Sequence, residues 1–290
     1  MSNIRLTETK LFIDGGDPTE TAEATHFLTQ AGYKGLDGQT TNPSLVAKNP
    51  DIVAKIKADE KLTAAELLQK YKEIVQDIEK SAAGEISIEV YADQNTTAEE
   101  MVAQAREMGT WIQSRVIKLP TTEQGLLAAE QLKGELPLNL TLCFSQQQAA
   151  AIYSATQGSA YPVFISPFIG RLDDRGENGI DLVANILRMV GHQSHVQILT
   201  ASIRSVEHIL GALALGTHAL TLPFAKAFKP WAEKGFPLPG EDYEYHFNGS
   251  PIPYEELDLA ADWRSFDLHH DLTAVGLQKF VDDWNSLLDG

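Results

Sequence analysis

The chain has a single cysteine, Cys143, among its 290 residues. It can therefore close no internal disulfide and offers no thiolate cluster to a metal. It is also poor in positive charge: 23 Lys and Arg stand against 40 Asp and Glu, a net charge of −17 spread along the chain. That balance argues against nucleic acid or an anionic membrane as a partner, since both would be repelled. A small anion is not excluded, because it needs only a few local cations and helix N-termini. No apolar run approaches the roughly 20 residues of a membrane span, and residues 1–10 lack the apolar core of a secretory signal. The expected location is the cytoplasm. Nucleotide-type phosphate loops are absent. His192 with His195 and His269 with His270 have no further convergent ligands, and the acidic loop at 173–179 lacks calcium-loop spacing, so neither metal nor cofactor is expected. The sequon at Asn139 lies inside an apolar run and is discarded as a glycosylation site.

What the chain does have is 43% hydrophobic residues, enough for one large core. Strand-like runs at 11–13, 35–41, 86–90, 116–119, 138–144, 163–168, 196–201 and 219–222 recur down the sequence. Helical patterns follow most of them: 19–30, segments within 43–78, 97–111, one from 145, then 179–190, 206–215 and one from 224. Such alternation implies a parallel sheet, and this many repeats in one domain spanning 1–290 imply a closed (β/α)8 barrel. Residues 229–262 change texture, with five prolines and several aromatics, and predict an ordered excursion. A final helix over 272–288 is expected to pack on the barrel, so that 229–290 forms a C-terminal extension.

In such barrels chemistry sits at the carboxyl ends of the strands. Polar residues interrupt or end these apolar runs at Asp14, Asn42, Glu89, Lys118, Asn139, Thr141, Ser166 and Ser202. Lys118 lies between Ile117 and Leu119 in a run that reads as buried. Such a lysine commonly snorkels or pairs with a carboxylate, but burial also disfavours an ammonium, and a neutral amine is what Schiff-base chemistry needs. Glu89, on the preceding strand, is its candidate acid or base. Asp14 and Asp17 are equally placed to cap the helix that begins near Pro18. Arg171 and Arg204, each a few residues after a serine, suit a phosphate dianion.

The ordered motifs LFIDGGDP, TTNPSL, ISIEV, VIKLPTT, NLTLCFS, ISPFIGRLDD, TASIRS and TLP, over residues 11–223, resemble the transaldolase family of class I Schiff-base aldolases. The closing HHDLTAVGLQKFVDDWNSLL resembles the end of its longer members. The resemblance implies that Lys118 forms the Schiff base, that Glu89 and Asp14 are the catalytic carboxylates and that Thr141 holds the catalytic water. It further implies that Asn42 and Asn139 bind substrate hydroxyls and that Ser166, Arg171, Ser202 and Arg204 form the phosphate site. The implied partners are small sugar phosphates, and a homo-oligomer is left open. The related fructose 6-phosphate aldolases carry glutamine in place of Glu89 and tyrosine in place of Phe168, so these residues favour transfer over simple cleavage. The resemblance assigns no role to Asp93 and matches 229–262 to nothing residue by residue. A silent sugar-phosphate-binding barrel is the rival from outside enzymology.

Overall fold

The computed structural model describes residues 5–58, 60–82 and 84–289; residues 1–4 of the stretch searched for a secretory signal lie outside it. Parallel strands close on themselves in chain order: β1 (Lys10–Asp14), β2 (Gly38–Thr40), β3 (Glu85–Glu89), β4 (Arg115–Pro120), β5 (Leu138–Cys143), β6 (Val163–Pro167), β7 (Val196–Thr200) and β8 (Ala219–Pro223). β8 pairs back onto β1. The chain thus forms the expected (β/α)8 barrel.

Helix α1 (Pro18–Gln30) follows β1, and α2 (Pro43–Val46), α3 (Pro50–Lys57) and α4 (Ala64–Ser81) follow β2. Single helices α5 (Ala98–Met108), α6 (Glu123–Leu132) and α7 (Gln146–Ala155) follow the next three strands. The polar loop expected after β6 contains a short helix, α8 (Ile169–Asp173), before α9 (Gly179–Val190). α10 (Val206–Ala214) follows β7, and β8 leads through a π-helical turn at Phe224–Phe228 into α11 (Lys229–Glu233). α12 (Asp271–Asn285) is the final helix. Side-chain caps set many of the starts. α4 and α5 open with capping boxes from Thr63 with Glu66 and Thr97 with Glu100. α1 is capped by Asp17, whose carboxylate accepts the Thr19 N–H at 2.8 Å, which leaves Asp14 for other work.

Successive side chains on a strand point to opposite faces. Phe12, Val116, Phe164, Leu199 and Ala219 form a cluster of their own within the barrel, with Phe12 and Phe164 edge to face at 5.8 Å. Two residues further along, the positions after Phe12, Val116, Phe164 and Ala219 become polar: Asp14, Lys118, Ser166 and Thr221. The barrel is plugged with apolar groups at one level and lined with chemistry at the next.

The excursion between α11 and α12 is a strap run backwards round the barrel. Tyr245 covers Gly211 on α10, Asn185 on α9 donates to the Ile252 carbonyl at 2.9 Å, and Gln146 on α7 exchanges two bonds with the Glu255 main chain. Arg264 then reaches Glu130 on α6 at 3.0 Å. From there α12 crosses the barrel mouth. Its Thr273 hydroxyl donates to the Leu142 carbonyl of β5 at 2.9 Å, and its Asp283 accepts from Ser44 on α2.

Close strand approach makes one position intolerant. A Cβ at Gly38 would collide with the Glu85 carbonyl oxygen and stand 2.9 Å from the Phe12 ring. Gly38→Ala is expected to cost about 1–3 kcal/mol, as overpacking does, read as a lower urea midpoint at unchanged slope. An unaltered midpoint would show that β2 can shift without loss.

Candidate active site

Strand register brings the central pair together. Glu89 and Lys118 are direct partners across β3 and β4, and Lys118 pairs in turn with Asn139 on β5. Lys118 Nζ lies 3.0 Å from Glu89 Oε2, with the two side chains only 3% and 2% exposed. The contact is a buried ion pair. Nζ also donates to the Thr41 carbonyl at 3.2 Å.

The frame round this pair has a fixed direction. The Glu89 N–H donates to Tyr71 Oη at 2.9 Å, and Thr41 Oγ1 donates to the Ser87 carbonyl at 2.8 Å. Tyr71 Oη and Thr41 Oγ1 are 2.6 Å apart, so the tyrosine must be the donor between them. Burial pushes the Tyr71 phenol up, which keeps it a neutral donor. Its ring is held between Trp111 and Trp284, at 5.7 and 6.0 Å.

Both carboxyls are displaced upward. Burial raises Glu89, against the opposing pull of the Lys118 charge. Asp14 keeps a partly exposed edge, yet the protein packed round it raises its carboxyl too, again opposed by Lys118 and by the 2.7 Å bond from Thr40. Thr40 gives its proton to Asp14, so Thr221, 2.6 Å away, must donate to Thr40. A carboxyl raised toward neutrality is suited to exchange protons there.

The remaining expected residues fall into two groups. Asn139 donates to Ser87 Oγ at 3.1 Å and accepts from Ser166 Oγ at 2.7 Å, deep in the barrel. Thr141 is buried beside them, and its hydroxyl has no hydrogen-bond partner among the described residues. Asn42, Ser202, Arg171 and Arg204 instead line an open pocket of about 490 Å³ at the mouth, whose floor includes Asp14. Ser166 is not among its lining residues, so the serine expected beside Arg171 sits with Asn139. Asn42 also caps α2 through the Leu45 N–H at 2.9 Å, which fixes its amide orientation.

Arg171 is the better enclosed of the two arginines. Burial and then the Arg204 charge push its guanidinium down from the ordinary range, and it stacks on Phe168 and Phe280 at 5.3 and 5.9 Å. Arg204 bonds Asp174 at 2.9 Å. Lys48, Lys226 and Lys279 add positive charge to the rim, a concentration that the overall charge conceals.

A barrel with a lysine–glutamate pair below a cationic mouth can be compared with known proteins. The family model for transaldolase/fructose-6-phosphate aldolase matches residues 11–290. The chain belongs to that family. It is 36% identical over 281 residues to a probable transaldolase of Anaeromyxobacter sp. (strain Fw109-5), covering 96% of this chain and 98% of the relative. A probable transaldolase of Caulobacter sp. (strain K31) is 35% identical over 232 residues, covering 78% and 92%. One from Lactiplantibacillus plantarum is 34% identical over 253 residues, covering 86% and 95%.

Within this transaldolase-type site some parts had no signal in the sequence. Tyr71 falls in the apolar stripe of α4 and reads as core, while Thr40 and Thr221 read as ordinary strand residues. Asp93, left without a role, folds its own turn by accepting from Asn95 N, Thr96 N and Thr96 Oγ1 within 2.9 Å.

The raised Asp14 carboxyl gives a stability signature with a definite sign. Below the unfolded value of about 3.9 both states are protonated. As pH climbs, the unfolded carboxyl ionises first, so the folded protein loses stability until its own higher pKa is passed. Asp14→Asn lacks that loss. Its thermal midpoint relative to the parent's should rise as pH climbs above about 3.9 and level off once the folded carboxyl has ionised; a difference that shrinks with rising pH would contradict the raised value.

Proposed function

We propose that this transaldolase-family enzyme transfers a dihydroxyacetone unit between sugar phosphates through a Schiff base on Lys118. The reading carries furthest on one observation, the Lys118–Glu89 contact of 3.0 Å inside the barrel. For ions buried this deeply, desolvation costs several kcal/mol per ion. Burial raises the Glu89 carboxyl, so Glu89 is a fitting acceptor for the amine's proton, and moving the proton to it leaves Lys118 nucleophilic.

The neutral amine adds to the C2 carbonyl of a ketose phosphate to give a carbinolamine. Glu89 protonates the departing hydroxyl, directly or through a water held by the Thr141 hydroxyl, and an iminium forms. Asp14 accepts the proton of the C4 hydroxyl as the C3–C4 bond breaks, and the iminium takes the electron pair as an enamine. The aldose phosphate leaves, a second one enters, and the same steps reverse. Asn139 and Asn42 offer amides to substrate hydroxyls, and Arg171 and Arg204 present guanidiniums to the phosphate.

The reaction proposed is sedoheptulose 7-phosphate plus glyceraldehyde 3-phosphate giving erythrose 4-phosphate plus fructose 6-phosphate, in the non-oxidative pentose phosphate pathway. Borohydride added with fructose 6-phosphate should leave a reduced dihydroxyacetone adduct on Lys118 by peptide mass spectrometry. Bound substrate without that adduct would leave only a silent sugar-phosphate binder. Free dihydroxyacetone accumulating without an acceptor would turn the reading to simple cleavage.

Glu89→Gln removes the proton carrier and keeps the amine. Transfer in a coupled assay should fall by about 10²–10⁴, with the residual activity tilted toward cleavage. A transfer rate equal to the parent's would refute the role given to Glu89.

A further inference from the structure

The strap residue Tyr245 bonds the end of α8, beside the arginine pocket. Tyr245 Oη donates to Asp173 Oδ2 at 3.1 Å. The same oxygen lies 2.7 Å from His208 Nε2, while Asp173 Oδ1 accepts the Gly179 N–H at 2.8 Å. His208 Nδ1 accepts the main-chain N–H of Arg204 at 3.1 Å. A backbone N–H can only donate, so Nδ1 is the acceptor nitrogen and Nε2 the donor to Asp173. The route from Tyr245 through Asp173 and His208 to the Arg204 main chain is unbroken.

Arg204 follows a stretch that needs holding. Ser202, two residues before it, has φ of 60°, a left-handed conformation that an L residue adopts at a cost and keeps only when its surroundings fix it. The Ser202 carbonyl accepts the Gly170 N–H at 3.1 Å, and the Arg204 side chain lies so close over Gly170 that a Cβ there would collide with it. Consecutive aspartates thus hold the two ends of Arg204: Asp174 takes the guanidinium directly, and Asp173 takes the main chain through His208. Burial works to raise Asp173, but the bonds from His208 and Gly179 outweigh it and hold the carboxyl below its ordinary value. Tyr245 closes the arrangement from outside, with its ring 5.8 Å from the His208 ring and fitted against Gly211, where a side chain would displace it.

We propose that Tyr245 is a positioning residue for anion recognition, fixing through Asp173 and His208 the main chain of the arginine that meets the substrate phosphate. The proposal rests on the phosphate role read for Arg204 above. It gives the strap a part in substrate affinity in addition to covering the barrel.

Tyr245→Phe in the full chain removes one hydroxyl and keeps the ring. The KM for fructose 6-phosphate should rise about three- to tenfold, the scale of one lost hydrogen bond, with kcat within about twofold. The Kd for inorganic phosphate by titration calorimetry should rise in the same proportion, and Asp173→Asn should raise both at least as far. A strap with a purely structural part would instead lower the melting temperature and leave KM and the phosphate Kd in place. Both constants within about twofold of the parent in Tyr245→Phe would overturn the proposal, whatever Asp173→Asn does. A parent that binds inorganic phosphate but does not turn over fructose 6-phosphate would count against the proposed reaction alone, and the phosphate Kd of the variants would still decide the role of Tyr245.

Discussion

The structure depends on a buried amine and a buried carboxylate held 3.0 Å apart by the pairing of two parallel strands. Neither charge is cheap inside a protein, and removing one partner would leave the other uncompensated. The pair persists because the groups round it are already committed. The Thr41 carbonyl faces the amine, the Glu89 N–H is taken by Tyr71, and the chain of hydroxyls ends on the Ser87 carbonyl. Tyr71 links this frame to the outside of the barrel. Its ring stands between Trp111 and Trp284, so α4 and α12 both bear on the geometry of the site.

The polar layer is tolerable because it rests on an apolar one. Phe12, Val116, Phe164, Leu199 and Ala219 close the barrel beneath it, which lets the inward positions above carry Asp14, Lys118, Ser166 and Thr221. Most of these find partners inside the layer: Asp14 with Thr40, Thr40 with Thr221, Ser166 with Asn139, Asn139 with Ser87. The buried Thr141 hydroxyl is a member of the layer without a hydrogen-bond partner among the described residues. Unsatisfied buried polar atoms are costly and mark places where a structure serves something besides stability. Thr141 lies on β5, the strand paired with that of Lys118.

The barrel was legible because its signal is local. Apolar runs of period two followed by amphipathic runs identify strand and helix one element at a time, and closure follows from their number. Lys118 and Glu89 stood out because each breaks such a run. Tyr71 did not, since an aromatic on an apolar helix stripe looks the same whether it fills space or directs a proton. As caps Asp14 and Asp17 looked alike, and only the resemblance assigned Asp14 to catalysis; the Thr19 N–H bonds Asp17. Ser166 was grouped with Arg171 by the resemblance, but a strand sends its side chain into the barrel while the helix after it carries the arginine to the mouth. The strap was harder still. Its contacts with α10, α9, α7 and α6 join residues far apart in sequence, and no periodicity announces them.

The site is built by two different means. The groups placed for bond making stand on strands, where register and the apolar layer fix them with little freedom. The arginines stand beyond the strands, on α8 and on the turn after β7, where the backbone alone does not fix them. They are held by stacking on Phe168 and Phe280, by Asp174, and by the route from Tyr245 to Arg204. Phe280 belongs to α12 and Tyr245 to the strap. On the proposed reading, anion recognition is tied to the C-terminal extension through Phe280 and Tyr245, while the amine and its carboxylates stand on barrel strands, with α12 reaching them through Trp284 and Tyr71.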